Sequence, residues 1–384
     1  MKGARDLTPV RPRTRRRRDG SVSTSYTFRY LDMLGRKRRV TRTSYEGALE
    51  AWLRVKGLRD RGRLGELERG STTLERFHDE VWLPEHAPTL TPGTVAHCEI
   101  LWRRHVVGRI DQLSMRDITP RVVSALKQQM LAAGIGVETT RRTMRMLQGV
   151  FRLAMEWEEA TSNPFAIVRK PPVKPPPPVR PLSVEAVEQL RAHFLAAEEW
   201  ESVLICVLMA YAGLRPSEVA ALRLADVRDR TLLVHRAVRE GDHAWLKNGS
   251  SYRTVELLQP VKDDIATVTA ALGTAAGPPD TPLIPDAAGE VRDGDDYKNW
   301  RRRQFRPAVH ELGLSIRRPY DLRHTCASLL IAAQRNILEI AAQLGHRPEM
   351  TVRTYGHLID EYRGQPPIDI EGRIEAERAS SGLR

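Results

Sequence analysis

Several things are scarce or missing in this chain of 384 residues. Its cysteines are three, Cys98, Cys206 and Cys326, scattered and odd in number, which excludes a disulfide framework and a paired zinc ligand set; they read as buried, reduced thiols. No uninterrupted apolar run reaches the roughly 20 residues that span a bilayer, so no membrane partner is expected. The start, Met1-Lys2-Gly3-Ala4-Arg5, lacks the apolar segment of a secretory signal, and a cytoplasmic protein is expected. Carboxylates are not clustered as a two-metal nuclease requires, and no glycine-rich loop ends in Lys-Ser or Lys-Thr to cradle a nucleotide phosphate. Neither a metal nor a cofactor is expected, and no solenoid-type repeat is present.

What is abundant is positive charge: 61 Lys and Arg against 48 Asp and Glu leave a net charge of +13. Hydrophobic residues at 41% and charged residues at 28% place the chain among soluble globular proteins, so the surplus points to a nucleic-acid partner. Residues 1–70 alone hold 20 Lys and Arg against 8 Asp and Glu, a surplus of 12. Residues 1–20, with the run Arg15 to Arg18, read as a disordered basic arm. From 21 to 65, Val22, Thr24, Tyr26, Phe28 and Tyr30 alternate at strand period, a turn runs from Asp32 to Gly35, and Lys37 to Thr43 reads as a partner strand. Tyr45, Ala48, Leu49, Trp52 and Val55 then fall at helical spacing. The run Arg36, Lys37, Arg38 and Arg39 is either a solvated edge that discourages strand pairing or a ribbon facing a DNA major groove.

Residues 71–165 read as a helical domain. Leu74, Phe77, Val81 and Trp82 mark one helix, Thr91-Pro92 and Thr119-Pro120 each place a capping hydroxyl before a first-turn proline, and the stripe from Val137 to Trp157 marks a fourth. Residues 166–182 include KPPVKPPPPVRP, whose prolines lack amide donors, and form a linker. Ser183 then caps a new helix. Residues 183–365 read as a mostly helical domain interrupted by strands at Thr231 to Val238 and Tyr252 to Leu258, followed by a tail, 366–384. The fold class is therefore mainly α and multidomain, with a small N-terminal β-sheet plus helix and a short sheet in the last domain.

Four segments after the linker carry chemistry. Arg215 lies in GLRPSE at a junction between two apolar helices, where it either points into a cleft or pairs with Glu218. Arg323 lies in YDLRHT, His346 in LGH, and Tyr355 nine residues beyond it. Taken singly, His346 reads as a structural histidine and Tyr355 as a half-buried aromatic; together and in order, the set resembles the tyrosine recombinase, or phage integrase, family. Lys247, seven residues before Thr254 in KNGSSYRTVEL, matches that family's lysine on a β-turn. The resemblance is strong over residues 183–358 and looser in the helical segment, similar to a core DNA-binding domain, and in the N-terminal sheet, similar to an arm-site-binding domain.

The resemblance implies a site-specific integrase that cleaves and rejoins strands through a 3′-phosphotyrosine and a free 5′ hydroxyl. A tyrosine hydroxyl, with a pKa near 10, needs surrounding positive charge to attack phosphorus. Arg215 and Arg323 suit the non-bridging oxygens, His346 a further hydrogen bond, and Lys247 protonation of the leaving oxygen. Implied partners are double-stranded DNA attachment sites, a homotetramer assembled on them, and accessory directionality and DNA-bending proteins. One departure stands out: Tyr320 occupies the place where the family's second box begins with histidine. Tyr320 then orients the phosphate or accepts the proton of Tyr355 through water, and the neighbouring His324 is either a substitute or a structural residue. The alternatives are a dimer resolvase of the same chemistry, against which the basic N-terminal sheet argues, and a catalytically silent DNA-binding protein.

Overall fold

The computed structural model describes residues 9–381 apart from 17–20, 32–34, 36, 63–64, 66–68, 175–178, 240–241, 246–251, 287 and 317. Arg36 and Lys247, with most of the Asp32–Gly35 turn, lie outside the described residues. The chain divides into two compact units, Met1–Lys174 and Pro175–Arg384.

The first unit opens with three antiparallel strands in the order β1 (Arg11–Arg16), β2 (Val22–Leu31), β3 (Lys37–Arg42). Side chains alternate between the faces of a sheet. Tyr26, Phe28, Tyr30 and Val40 accordingly share one face and pack with Tyr45, Ala48, Trp52 and Val55 of α1 (Tyr45–Asp60). The Gly47 amide donates to the Ser44 hydroxyl at 3.1 Å and caps that helix.

Within the expected disordered arm, residues 1–20, strand β1 corrects that expectation over Arg11–Arg16. Arg11, Arg13 and Arg15 pair with Thr27, Ser25 and Ser23 of β2. All six residues of β1 are exposed, so backbone pairing and not burial holds the strand, and hydrophobic periodicity could not reveal it. Pro12 is tolerated because β1 is an edge strand. Opposite α1, the outer face carries Arg11, Arg13 and Arg15, with Arg29 paired to Arg39 and Leu31 to Lys37. Arg38 pairs with Tyr30 and so lies on the other face, which divides the basic run instead of presenting it together.

The rest of this unit is α2 (Leu74–Phe77), continued by a π-helical segment (His78–His86), then α3 (Pro92–His105), α4 (Pro120–Ala132), α5 (Val137–Glu156) and the short α6 (Pro164–Ile167). Thr91 and Thr119 cap α3 and α4 ahead of their prolines. Helix α5 buries Met144, Leu147, Val150 and Phe151 in a shared core with Trp102, Leu126 and Phe165.

In the second unit, α7 (Val184–Ala196) and α8 (Trp200–Ala210) lead to α9 (Pro216–Val219). Every residue of α8 from Ser202 to Ala210 is buried, the pattern of a helix enclosed on all sides, here by α7, α10 (Gln259–Ala271) and α13 (Tyr320–Ala332). Where two strands are expected, four short ones form two antiparallel pairs: β4 (Thr231–Val234) with β7 (Arg253–Glu256), and β5 (Arg236–Arg239) with β6 (Asp242–Trp245). After α10 come α11 (Gly294–Trp300), a π-helical turn, α12 (Arg306–Glu311), α13, α14 (Ile337–Leu344) and α15 (Pro348–Glu361).

The tail, 366–384, also needs correction, because Ile370–Ser380 forms helix α16. Ile374 is fully buried and Arg378, one turn later, donates to Glu188 at 2.9 Å and Asp264 at 2.7 Å, so one face of α16 docks on α7 and α10. Among the described residues, no helix is long and apolar enough to cross a membrane.

Packing of the first unit can be tested at Phe151, 1% exposed with its ring 5.3 Å from Phe165. Phe151→Ala should lower unfolding free energy by about 3–5 kcal/mol, read from the urea midpoint, whereas Phe151→Leu should cost clearly less.

Candidate active site

Helix α8 ends at a turn through Gly213, whose φ of 69° lies in the left-handed region. A Cβ added there would come within 2.8 Å of both Cys326 Sγ and Leu344 Cδ2, so glycine is needed for conformation and for space. The turn delivers Arg215 to the start of α9. One box is thereby set against the others, because Cys326 belongs to α13 and Leu344 ends α14.

The arginines make that junction. Arg323 on α13, 1% exposed, donates from Nη1 to the Gly213 carbonyl and from Nη2 to the Leu344 carbonyl. Arg215 donates to Glu218 Oε1 at 2.6 Å and to the Gly345 carbonyl at 2.8 Å. Sequence reasoning treats pairing with Glu218 and pointing into a cleft as alternatives, and Arg215 does both. It lines a cleft of about 320 Å³ together with Ser217, Asp293 and Tyr320.

A third arginine, to which sequence reasoning assigns no role, completes the group. Arg253 at the start of β7 grips Glu218 with Nη2 at 2.9 Å and Nη1 at 3.2 Å, while its Nε donates to the Gln343 carbonyl at 2.9 Å. The signal that could have found it is its alternation with Val255, which puts a charge on the buried side of a strand. Burial works to raise the Glu218 pKa, but the hydrogen bond and charge of Arg253, the charge of Arg215 and the Arg215 amide outweigh it and hold the carboxyl at about 2. Gly345, with φ 61°, leaves room for this pair: a Cβ there would lie 2.6 Å from Arg253 Nη1.

His346 follows directly. Burial, then the charge of Arg323, pulls its pKa down to about 4, so the ring is neutral near pH 7. Thr351 Oγ lies 3.1 Å from His346 Nδ1. When that hydroxyl donates, the ring proton sits on Nε2 as an available donor. The His346 ring lies 6.5 Å from the Tyr355 ring, interplanar angle 21°.

Tyr355, on α15, is 3% exposed. Burial pushes its hydroxyl pKa well up; Arg323 opposes this, while Tyr320 and Cys326 add to it. Its Oη lies 2.8 Å from Nδ1 of His324. Tyr320, 38% exposed, reaches the ring of His324 edge-on at 5.4 Å. The structure thus brings Arg215, Arg323, His346, Tyr355 and Tyr320 together in the second unit, while Lys37, Arg38 and Arg39 stand on the sheet of the first. Among the described residues no three of His, Cys, Asp and Glu gather as metal ligands.

Comparison with known proteins adds family, relatives and fold. Residues 181–361 fit the profile described as Phage integrase family. The shufflon-specific DNA recombinase of Escherichia coli is 25% identical over 290 residues, covering 72% of this chain and 68% of that protein. In fold, the chain is similar to the Tn1549 transposon integrase solved in complex with transposon right end DNA, with TM-score 0.60 at 18% identity over 80% of this chain and all of that one. It is also similar to a lambda integrase dimer bound to a COC′ core site, with TM-score 0.58 at 16% identity over 96% of this chain and 99% of that one. The family profile and the curated relatives define an enzyme of DNA strand exchange. Over residues 181–361 the chain carries a domain of the phage integrase, or tyrosine recombinase, family.

Glu218 gives a pH prediction. Its folded pKa lies below the ordinary 4.5, so the stability it adds is present above about pH 4.5 and is lost as pH falls through 2. Glu218→Ala should destabilise the domain by about 3–5 kcal/mol at pH 7, since Arg253 is left buried without its carboxylate. Its stability, followed by chemical denaturation at several pH values, should also fall less than wild type over that acid window.

Proposed function

We propose that this enzyme is a site-specific integrase of a phage or other mobile element, with Tyr355 as the nucleophile that joins it to a 3′ phosphate. The supporting observation is the convergence of four separate sequence boxes on one cluster, tied by Arg215 and Arg323 to the carbonyls of Gly213, Leu344 and Gly345.

The chemistry follows from the donors present. A guanidinium carries five N–H groups, and the hydrogen bonds given above use two on each arginine, leaving donors for the non-bridging oxygens of a scissile phosphate. Positive charge fixed at that point stabilises the charge on pentacoordinate phosphorus. With the Thr351 hydroxyl donating to Nδ1, His346 adds its Nε2–H. Lys247, outside the described residues, protonates the departing 5′ oxygen on this reading. The ester keeps the energy of the broken bond, so a second strand can attack it and no nucleotide cofactor is required.

The rest of the chain supports the integrase reading over a resolvase. We assign the sheet and helix from Arg11 to residue 65 to arm-site DNA, 71–165 to core-site DNA and 183–365 with the docked helix Ile370–Ser380 to catalysis, with the proline-rich segment 166–182 as linker. The sheet's outer face, bearing Arg11, Arg13, Arg15, Arg29, Lys37 and Arg39, is the contact surface, with Arg36 beside it in sequence. Partners on this reading are double-stranded attachment sites, further copies forming a homotetramer on DNA, and accessory directionality and bending proteins.

Tyr355→Phe should bind DNA with unchanged affinity and form no covalent adduct on a nicked suicide substrate; an adduct that persists would move the nucleophile elsewhere. Arg215→Lys should slow cleavage by about 100-fold, because a point charge replaces the fork. Replacing Arg11, Arg13, Arg29 and Arg39 together by Gln should reduce the slope of log affinity against log salt on arm-site DNA by about 0.9 for each phosphate that is no longer neutralised. An unchanged slope would return the face to a solvated edge.

A further inference from the structure

The residue pattern leaves the acceptor of the Tyr355 proton open between Tyr320 through water and His324, since Tyr320 stands where a histidine is usual. We propose that His324 takes this proton, acting as the general base for strand cleavage and, as its imidazolium, the general acid for rejoining. The proposal rests on the reading of Tyr355 as nucleophile.

Position is the first argument. Tyr320 and His324 lie four residues apart on α13, one turn along the same face, and only the second reaches the hydroxyl. Tyr355 Oη lies 2.8 Å from His324 Nδ1, with the rings edge-on at 5.7 Å and 66°. With His324 protonated on Nε2, the tyrosine donates and Nδ1 accepts, which is the ground-state arrangement for proton transfer. His346 is not placed for this task. It meets Tyr355 by ring stacking, and its Nδ1 faces the Thr351 hydroxyl and the Arg347 carbonyl.

The surroundings of His324 keep it available. Burial lowers its pKa, Arg318 and Arg323 lower it further, and Asp321 opposes them. Among the described residues, Tyr320 on its own helix and Tyr355 on α15 also stand against its ring. A histidine so held is neutral near pH 7 and can accept, while the tyrosine opposite keeps its proton until an acceptor takes it.

The step balances without a further reagent. Tyr355 Oη bonds to phosphorus as its O–H bond breaks and the proton passes to His324 Nδ1. The bond from phosphorus to the 5′ oxygen breaks, and that oxygen leaves with the electron pair and takes a proton from Lys247 or water. In rejoining, a 5′ hydroxyl attacks phosphorus and gives up its proton to Lys247 or water, the phosphotyrosyl bond breaks, and the imidazolium returns its proton to Tyr355.

The test is single-turnover cleavage of a nicked suicide substrate by the full chain across pH. His324→Asn retains a polar atom near the Nδ1 position but no base. It should cut the rate at pH 7 by about 100-fold with DNA affinity kept, and the rate should then climb with pH into the alkaline range where wild type is flat. His324→Ala should regain cleavage on addition of imidazole. Near-wild-type cleavage by His324→Asn would overturn the proposal. So would a deficit in His324→Ala that imidazole does not repair with an unchanged pH profile, or the alkaline climb appearing in Tyr320→Phe instead. Tyr355→Phe separates the two readings: an adduct in that variant removes the nucleophile itself, whereas its absence together with active His324 variants removes only the base.

Discussion

The last turn of α14 presents the carbonyls of Gln343, Leu344 and Gly345, which lie beyond the last amides of the helix and so lack helical partners. Arg253, Arg323 and Arg215 donate to them in that order, one guanidinium to each carbonyl. The partial negative charge at a helix C-terminus favours cations there. This junction draws β7, α13 and the α8–α9 turn onto one point, and the positions of His346 and Tyr355 follow, since α15 begins just after Gly345. Three like charges so close together need a counterion, and Glu218 supplies it: it pairs directly with Arg215 and Arg253 and stands 3.9 Å from Arg323.

The glycines at 213 and 345 are what this arrangement demands of the backbone. Each sits in the left-handed region beside a crowded neighbour, so a side chain would be strained by conformation and by contact alike. Both belong to boxes recognised from the sequence, GLRPSE and LGH. Gly345 leaves room for Arg253, and Gly213 lets the turn close on Cys326 and Leu344.

How much of this was legible depends on what kind of force fixes each piece. The helices were legible from capping hydroxyls and first-turn prolines, as at Thr91-Pro92 and Thr119-Pro120, and from burial stripes such as that of α5. Strand β1 was not, because neither of its faces is apolar and only backbone pairing holds it. Helix α16 was missed for a related reason: its docking face consists of Ile374 with the ionic pairs of Arg378, and the sequence does not reveal where Glu188 and Asp264 will stand. In the site, Arg215, Arg323, His346 and Tyr355 could be read as spaced boxes. The role of Arg253 and the meeting of His324 with Tyr355 are tertiary facts, set by how β7 meets α14 and α13 meets α15.

The same tertiary facts bear on when the chemistry can start. Before DNA arrives, burial raises the pKa of Tyr355 and lowers those of His324 and His346, so the tyrosine is protonated and both histidines are neutral near pH 7. Proton transfer would create an imidazolium beside Arg323 and Arg318, which is unfavourable while those cations have no added anion nearby. On the proposed reading, a scissile phosphate seated on Arg215 and Arg323 would change that balance. Its charge offsets the arginines, makes the imidazolium less costly, and places phosphorus where the tyrosine oxygen is losing its proton. On that reading, activation of the nucleophile is tied to occupancy of the arginine pair, and Tyr355 keeps its proton until a phosphate is bound.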